Sequence, residues 1–256
     1  MKIFKAKKFI TDKKIKKFYK KFGWVSLKNY ITKQEIKDIQ DDLNNFYLEN
    51  VKKKCLPAIV FLDKKNKKLL YKLHLISSNL ISIKKVCCRL ADIQKKLVNT
   101  KNTLEIGSTY MLSLPKDKRL VYNYHQESNY LKEYEDILNI HFPIFNQSNL
   151  ENGTMSVLSK THTLGNLKYI KKRFSKNSFT DLIPIGIEKI KNKYEEIFFE
   201  LNLGDVVFFH KYLIHKSNFN NTNKCRIVGI GRFTNAFKNL KNFEVSGKNG
   251  APPQNL

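Results

Sequence analysis

Acidic residues are scarce: 22 Asp+Glu stand against 48 Lys+Arg in 256 residues, for a formal net charge of +26. Such a field draws anions, whether nucleic acid, acidic membrane surfaces, or phosphorylated and carboxylated small molecules. The lysines are spread along the chain in runs such as Lys7-Lys8, Lys13-Lys14 and Lys171-Lys172, among much Asn and Ile. An A+T-rich coding sequence gives the same bias, so charge alone does not select nucleic acid over a small anionic metabolite. Cysteine is scarce too. Cys55, Cys87, Cys88 and Cys225 show no CxxC spacing, which excludes the common zinc frameworks, and free thiols in a reducing compartment are expected. No apolar run approaches bilayer length, and the opening MKIFKAKKFITDKK lacks the apolar core and cleavage site of a signal peptide. A soluble, cytoplasmic protein without a transmembrane segment is the expectation. There is also no internal repeat or low-complexity linker, so a single domain is expected over 1–256. Within it, 1–103 reads as mostly helical support, 104–234 as a β core and 235–256 as a tail.

Thr32 and Glu35 have capping-box spacing, in which a hydroxyl and a carboxylate satisfy two free backbone donors. Ile36, Ile39, Leu43, Phe46 and Tyr47 then form one apolar stripe, predicting a helix packed on a sheet. Cys55–Leu62 reads as a strand, Asp63–Lys68 as a turn, and Leu69–Leu75 as a strand or short helix. Val86, Leu90, Ile93 and Leu97 share a second helical face. Trp24, the single tryptophan, is expected as a core anchor. From about Leu104 the texture changes to short apolar runs punctuated by Gly, Asn, Ser and Pro. Strands are predicted at Ile106–Leu114, Leu120–His125, Ile140–Phe145, Gly153–Leu158, Glu195–Leu201, Asp205–Phe209 and Arg226–Phe233, with a loop and helix-like insert around Ile170–Asp181. The fold class is mainly β with flanking helices (α+β), built on a jelly roll whose two sheets enclose a site.

The stretch Leu203–Phe233 carries most of the chemistry. Two apolar runs, Val206–Phe209 and Ile227–Ile230, flank a polar turn, which predicts two strands joined by a loop. His215 closes the first arm and Arg226 opens the second. A neutral imidazole is a good ligand for a divalent transition metal, and a guanidinium can clamp a carboxylate through two parallel hydrogen bonds. Upstream, Val121–Tyr130 reads VYNYHQESNY. In an extended chain, alternation puts His125 and Glu127 on one face and Gln126 on the other. Two imidazoles and a carboxylate make the facial triad of non-haem Fe(II) oxygenases. His74, His141, His162 and His210 are expected to make structural hydrogen bonds, with a substrate contact open to His210. Arg226, Val228, Ile230 and Arg232 share a strand face, so Arg232 is placed to meet another acid or a substrate anion.

Several motifs together resemble the phytanoyl-CoA dioxygenase family: Gly23-Trp24-Val25 before the capped helix, Tyr124-His125-Gln126-Glu127, Asn152-Gly153-Thr154-Met155 leading to Thr161-His162, Gly204-Asp205 before His215, and Arg226 eleven positions after His215. The resemblance spans roughly Phe18 to Phe233. It implies a double-stranded β-helix (a cupin-like jelly roll), Fe(II) as the metal, 2-oxoglutarate as cosubstrate and O2 as oxidant. Residue by residue, it implies His125, Glu127 and His215 as metal ligands and catalytic residues. It implies Arg226 for the distal carboxylate of 2-oxoglutarate, with Ser217 as a hydrogen-bonding helper. The family usually carries Asp where this chain has Glu127, whose extra methylene moves the carboxylate outward. Retention of a carboxylate argues against a halogenase.

The implied function is a dioxygenase hydroxylating a small, possibly anionic metabolite with release of succinate and CO2. Two alternatives stand beside it: an oxidative nucleic-acid dealkylase, which the charge and Arg232 favour, and a non-catalytic basic jelly-roll binding module. Basic Leu167–Lys176 is placed to steer an anionic substrate or to act as a solvated loop. No motif specifies the substrate or an oligomeric state.

Overall fold

The computed structural model describes residues 4–5, 13–51, 68, 70–71, 80–98, 100, 102–173 and 180–236. The expected strand Cys55–Leu62 and His74 lie outside them, as do most of Asp63–Lys68 and Leu69–Leu75. In chain order the elements begin with β1 (Phe4–Lys5), α1 (Lys13–Phe22), β2 (Trp24–Lys28), α2 (Lys33–Val51) and α3 (Ile81–Leu97). They continue with β3 (Thr103–Ser113), β4 (Leu138–Pro143), β5 (Met155–Leu158), β6 (Tyr169–Arg173), β7 (Thr180–Pro184) and α4 (Ile187–Lys191). The last four are β8 (Glu196–Phe198), β9 (Val206–His210), β10 (His215–Ser217) and β11 (Arg226–Asn235).

Two sheets face each other. The larger runs β1-β2-β9-β4-β11-β3 and the smaller β10-β5-β8. Apart from the parallel β1–β2 pair, their ladders are antiparallel. Alternation divides the larger sheet cleanly. Val25, Leu27, Leu138, Ile140, Phe142, Val206, Phe208, Ile227 and Phe233 join one cluster with the helices, whereas Trp24, Val207 and Phe209 join Met155, Val157 and Phe199 between the sheets. Trp24 is thus the expected core anchor, and its indole Nε1 donates to Ser159 Oγ at 3.2 Å.

Both predicted helices form on their predicted stripes: Ile36, Ile39, Leu43 and Tyr47 of α2 and Val86, Leu90, Ile93 and Leu97 of α3 are buried. The capping box is made in full. Glu35 N–H donates to Thr32 Oγ1 at 3.2 Å and Thr32 N–H to Glu35 Oε2 at 2.8 Å, while Arg89 Nε grips the same carboxylate at 2.6 Å. Gly23, with φ at +80°, turns the chain from α1 into β2; a Cβ there would sit 2.5 Å from His162 Nδ1.

Three sequence expectations change. The apolar runs Val206–Phe209 and Ile227–Ile230 do lie in one sheet, but β4 is inserted between β9 and β11. The stretch joining them leaves that sheet to supply β10 to the other, so His215 opens its own strand. Leu120–His125 is not a strand. It makes a single bridge at His125, because Asn123 N–H and Nδ2 are taken by the Asp181 carboxylate at 3.4 and 2.7 Å instead of by a ladder. The described residues of the expected helix-like insert Ile170–Asp181 lie instead in an antiparallel ladder, β6 paired with β7.

Candidate active site

His125 and His215 meet because their backbones are bonded to each other. His125 N–H donates to His215 O at 2.9 Å and His215 N–H to His125 O at 3.0 Å, a closed antiparallel pair that turns both side chains to the same side. Their ring centroids are 4.1 Å apart. Each ring is oriented by a carbonyl two residues upstream: Nδ1 of His125 lies 2.6 Å from Asn123 O, and Nδ1 of His215 lies 3.0 Å from Leu213 O. Carbonyls can only accept, so each Nδ1 donates, which leaves Nε2 as the ring nitrogen available to a ligand or metal.

Glu127 reaches the same point by another route than the expected alternation. The chain leaves extended geometry after Gln126, and Glu127 opens a single 3-10 turn, Glu127–Asn129. Gln126, fully buried, fixes that turn from the opposite side: its amide nitrogen donates to Gly165 O and Tyr212 O at 2.9 and 2.7 Å, and its oxygen accepts from Leu167 N–H at 2.8 Å. His125, Glu127 and His215 each offer a ligand atom within 4.8 Å of the others, and all three are buried. Glu127 Oε2 stands 3.6 Å from His215 Nε2, and Oε1 accepts from Arg232 Nε at 2.5 Å.

The electrostatics suit a cation. Burial, with the neighbouring His215, pushes His125 down to about 3, so its imidazole is neutral at ordinary pH. Burial alone would raise the Glu127 carboxyl, but Arg232 and the two histidines outweigh it and hold the group below the usual carboxylate range. Two lone-pair nitrogens and one carboxylate oxygen are the donor set that suits divalent first-row metals.

Arg226 and Ser217 sit nearby in different states. Arg226 is 4 % exposed, and part of its fork is already spent: Nε donates to Asn152 O at 3.2 Å and Nη2 to Gly153 O at 2.7 Å. Its Nη1 is buried with no partner among the described residues. Ser217 ends β10, two positions past His215 and so on the same side of that strand; its N–H donates to Tyr122 O at 3.0 Å.

Two residues carry more here than the sequence suggested. His141 of β4 was expected to make a structural hydrogen bond, yet its Nε2 is buried and unpartnered among the described residues. Burial, with Arg226 and His215 close by, pushes it down to about 3. Register could have found it, because His141 pairs with Ile230 and so shares the face of Arg226 and Arg232. Arg232 meets an acid, as one of its two expected roles, and the acid is Glu127. His210 and His162 stay outside the triad, with ring centroids 5.4 Å apart; His210 Nδ1 accepts from Tyr212 N–H at 3.1 Å and His162 Nε2 donates to Lys20 O at 3.0 Å.

The fold is shared with solved oxygenase structures. EctD from S. alaskensis, determined with 2-oxoglutarate and 5-hydroxyectoine, superposes with a TM-score of 0.64 at 12% identity, covering 91% of this chain and 79% of that one. SnoK, a non-heme alpha ketoglutarate dependent carbocyclase from nogalamycin biosynthesis, gives 0.59 at 17% identity over 88% and 84%. The epimerase SnoN, in complex with Fe3+, alpha ketoglutarate and nogalamycin RO, gives 0.59 at 12% identity over 87% and 83%. At such identities these are likenesses of fold, a cupin-like jelly roll. No protein of curated function matches the chain by sequence. The phytanoyl-CoA dioxygenase (PhyH) family model does match, over residues 19–228, a span that takes in β2, the three clustered residues and Arg226. The chain belongs to the phytanoyl-CoA dioxygenase family.

Proposed function

We propose that this chain is a single-domain Fe(II)/2-oxoglutarate-dependent dioxygenase that hydroxylates a small anionic metabolite and releases succinate and CO2. The observation that carries the reading is the convergence of buried His125, Glu127 and His215 within 4.8 Å. Family membership supports the same class. Hydroxylation is the finer claim: the fold also serves the SnoK carbocyclase and the SnoN epimerase.

The residues present fit both implied groups. His125 and His215 would hold the metal through Nε2, and Glu127 through Oε2, with Arg232 keeping Oε1 in place. The longer side chain of Glu127, compared with the Asp usual in the family, is taken up by the 3-10 turn and by Arg232. A carboxylate would satisfy the buried, unpartnered Arg226 Nη1, and His141 Nε2 is a second buried polar atom without a partner among the described residues; such orphaned atoms are costly unless a ligand fills them. Arg226 would thus hold the distal end of 2-oxoglutarate through one nitrogen, with His141 beside it and Ser217 as a further hydroxyl donor. When bound, Fe(II) with 2-oxoglutarate and O2 supplies the oxidation, in which the oxoacid leaves as succinate and CO2 and one oxygen atom enters a substrate C–H bond. The chain's own part is to keep the His125 imidazole neutral, orient both rings, aim one carboxylate oxygen, neutralise a buried anion and exclude water.

The nucleic-acid dealkylase reading loses one support, because Arg232 is engaged by Glu127. The test is succinate release from 2-oxoglutarate under air. Release that requires Fe(II) and disappears in His215→Ala is expected. Equal release with and without Fe(II), or in the variant, would contradict the assignment.

A further inference from the structure

One lysine lies where lysines are rarely found. Lys211 is 9 % exposed, yet no carboxylate pairs with it among the described residues. Its Nζ lies 3.5 Å from Tyr134 O and 4.9 Å from the centroid of the Tyr212 ring. A buried ammonium is ordinarily paired, because dehydration of an isolated charge is expensive. Lys211 lines a cavity of about 350 Å³ together with Asn129, Lys132, Lys168, Tyr169 and Tyr212. Asn129 is 3 % exposed, and neither its amide nitrogen nor its oxygen has a partner among the described residues. Lys132 is held in place by Tyr169, whose hydroxyl is 2.6 Å from its Nζ. The lining contains no Asp or Glu.

The cavity is joined to the triad through the backbone. Asn129 follows Glu127 by two residues in the same 3-10 turn, and Ser128 N–H donates to Lys211 O at 3.2 Å. Gln126 ties Tyr212 and Leu167, both on the cavity wall, to the residue between His125 and Glu127.

We propose that this cavity binds a phosphate group of the substrate, which makes the substrate a phosphate-bearing small molecule. The inference rests on the oxygenase reading for the word substrate. Three lysines and a free amide, with no acid in the lining, suit a compact, multiply charged anion such as phosphate, which lysines bind as point charges. The volume is at the small end of ligand pockets, roughly 300–1,000 Å³, enough for a phosphate and a few attached atoms.

The test is calorimetric titration of the full chain at fixed ionic strength with inorganic phosphate, glycerol phosphate, acetate and a single-stranded oligonucleotide. Saturable binding of phosphate and glycerol phosphate at one site is expected. Lys211→Met and the exposed Lys132→Ala should each weaken it at least tenfold, and Lys171→Ala, on β6 outside the cavity, should change it less than twofold. Lys132→Ala carries the test should Lys211→Met not fold. No saturable phosphate binding, acetate binding as tightly as phosphate, equal loss in Lys171→Ala, or binding of the oligonucleotide alone would each overturn the proposal. Phosphate binding without Fe(II)-dependent succinate release would instead contradict the oxygenase reading, while release without phosphate binding would overturn only the cavity's assignment.

Discussion

Glu127 divides its two oxygens between Arg232 and the His215 side of the triad, and that division sets what nearby substitutions do. Arg232→Met leaves the three ligands intact but frees the carboxylate to turn and leaves it buried without its counter-charge. Metal affinity should fall by about 10- to 100-fold, the range typical of partners that orient a ligand, as read by Co(II) or Fe(II) titration. Arg226→Ala should mainly raise the 2-oxoglutarate concentration required, whereas His215→Ala should abolish turnover; similar activity in both variants would remove these roles. His141 and His210 give a pH prediction. Burial, aided in His210 by the charge of His162, lowers them to about 3 and about 4, below the ordinary 6.5. The unfolded chain then binds more protons than the folded one between those values, so stability is fully present above about pH 6.5 and is lost as pH falls toward 4. Each group costs about 1 kcal/mol between pH 6.5 and 5.5. Denaturant midpoints at the two pH values should show the loss, and His141→Gln should remove its share.

At the scale of elements, one device holds the site's parts in register. Gly153, with φ at +80°, supplies the carbonyl that Arg226 Nη2 binds, and a Cβ there would lie 2.5 Å from Asn218 O. Gly153→Ala should therefore destabilise the fold by about 2 kcal/mol or more and weaken 2-oxoglutarate binding as well, measured by thermal unfolding and by titration. Thr32→Ala, by contrast, removes one cap oxygen at the start of α2, far along the chain from the triad. It should cost about 1 kcal/mol with no change in metal affinity. Helices α2 and α3 were legible because their apolar stripes and cap are local signals. The segment before His125 was not, because its apolar residues look strand-forming while its backbone donors are claimed by Asp181, nearly sixty positions away. The β6–β7 pairing was missed for a related reason: a Lys-rich arm shows no alternation when both its faces are open to solvent.

Over the whole molecule, the convergence of His125, Glu127 and His215 was legible because their residue types stand in an order that a metal site would need. What the sequence did not show was who stands beside them. His141 and Arg232 join the site only through the pairing of β4 with β11, a register that spans about ninety residues and leaves no local pattern. The net charge of +26 gains one structural focus, in the acid-free cavity around Lys211. No helix among the described residues is long and apolar enough to cross a membrane. The central claim is that two histidines and a glutamate bind Fe(II) with Arg226 holding an oxoacid next to it. Anaerobic titration of the protein with Fe(II) and 2-oxoglutarate tests this most directly. A visible metal-to-ligand charge-transfer band that needs both components, is lost in His215→Ala and shifts to higher 2-oxoglutarate concentration in Arg226→Ala is the predicted result. Absence of that band in the unaltered protein would contradict the account and leave a basic jelly-roll binding module.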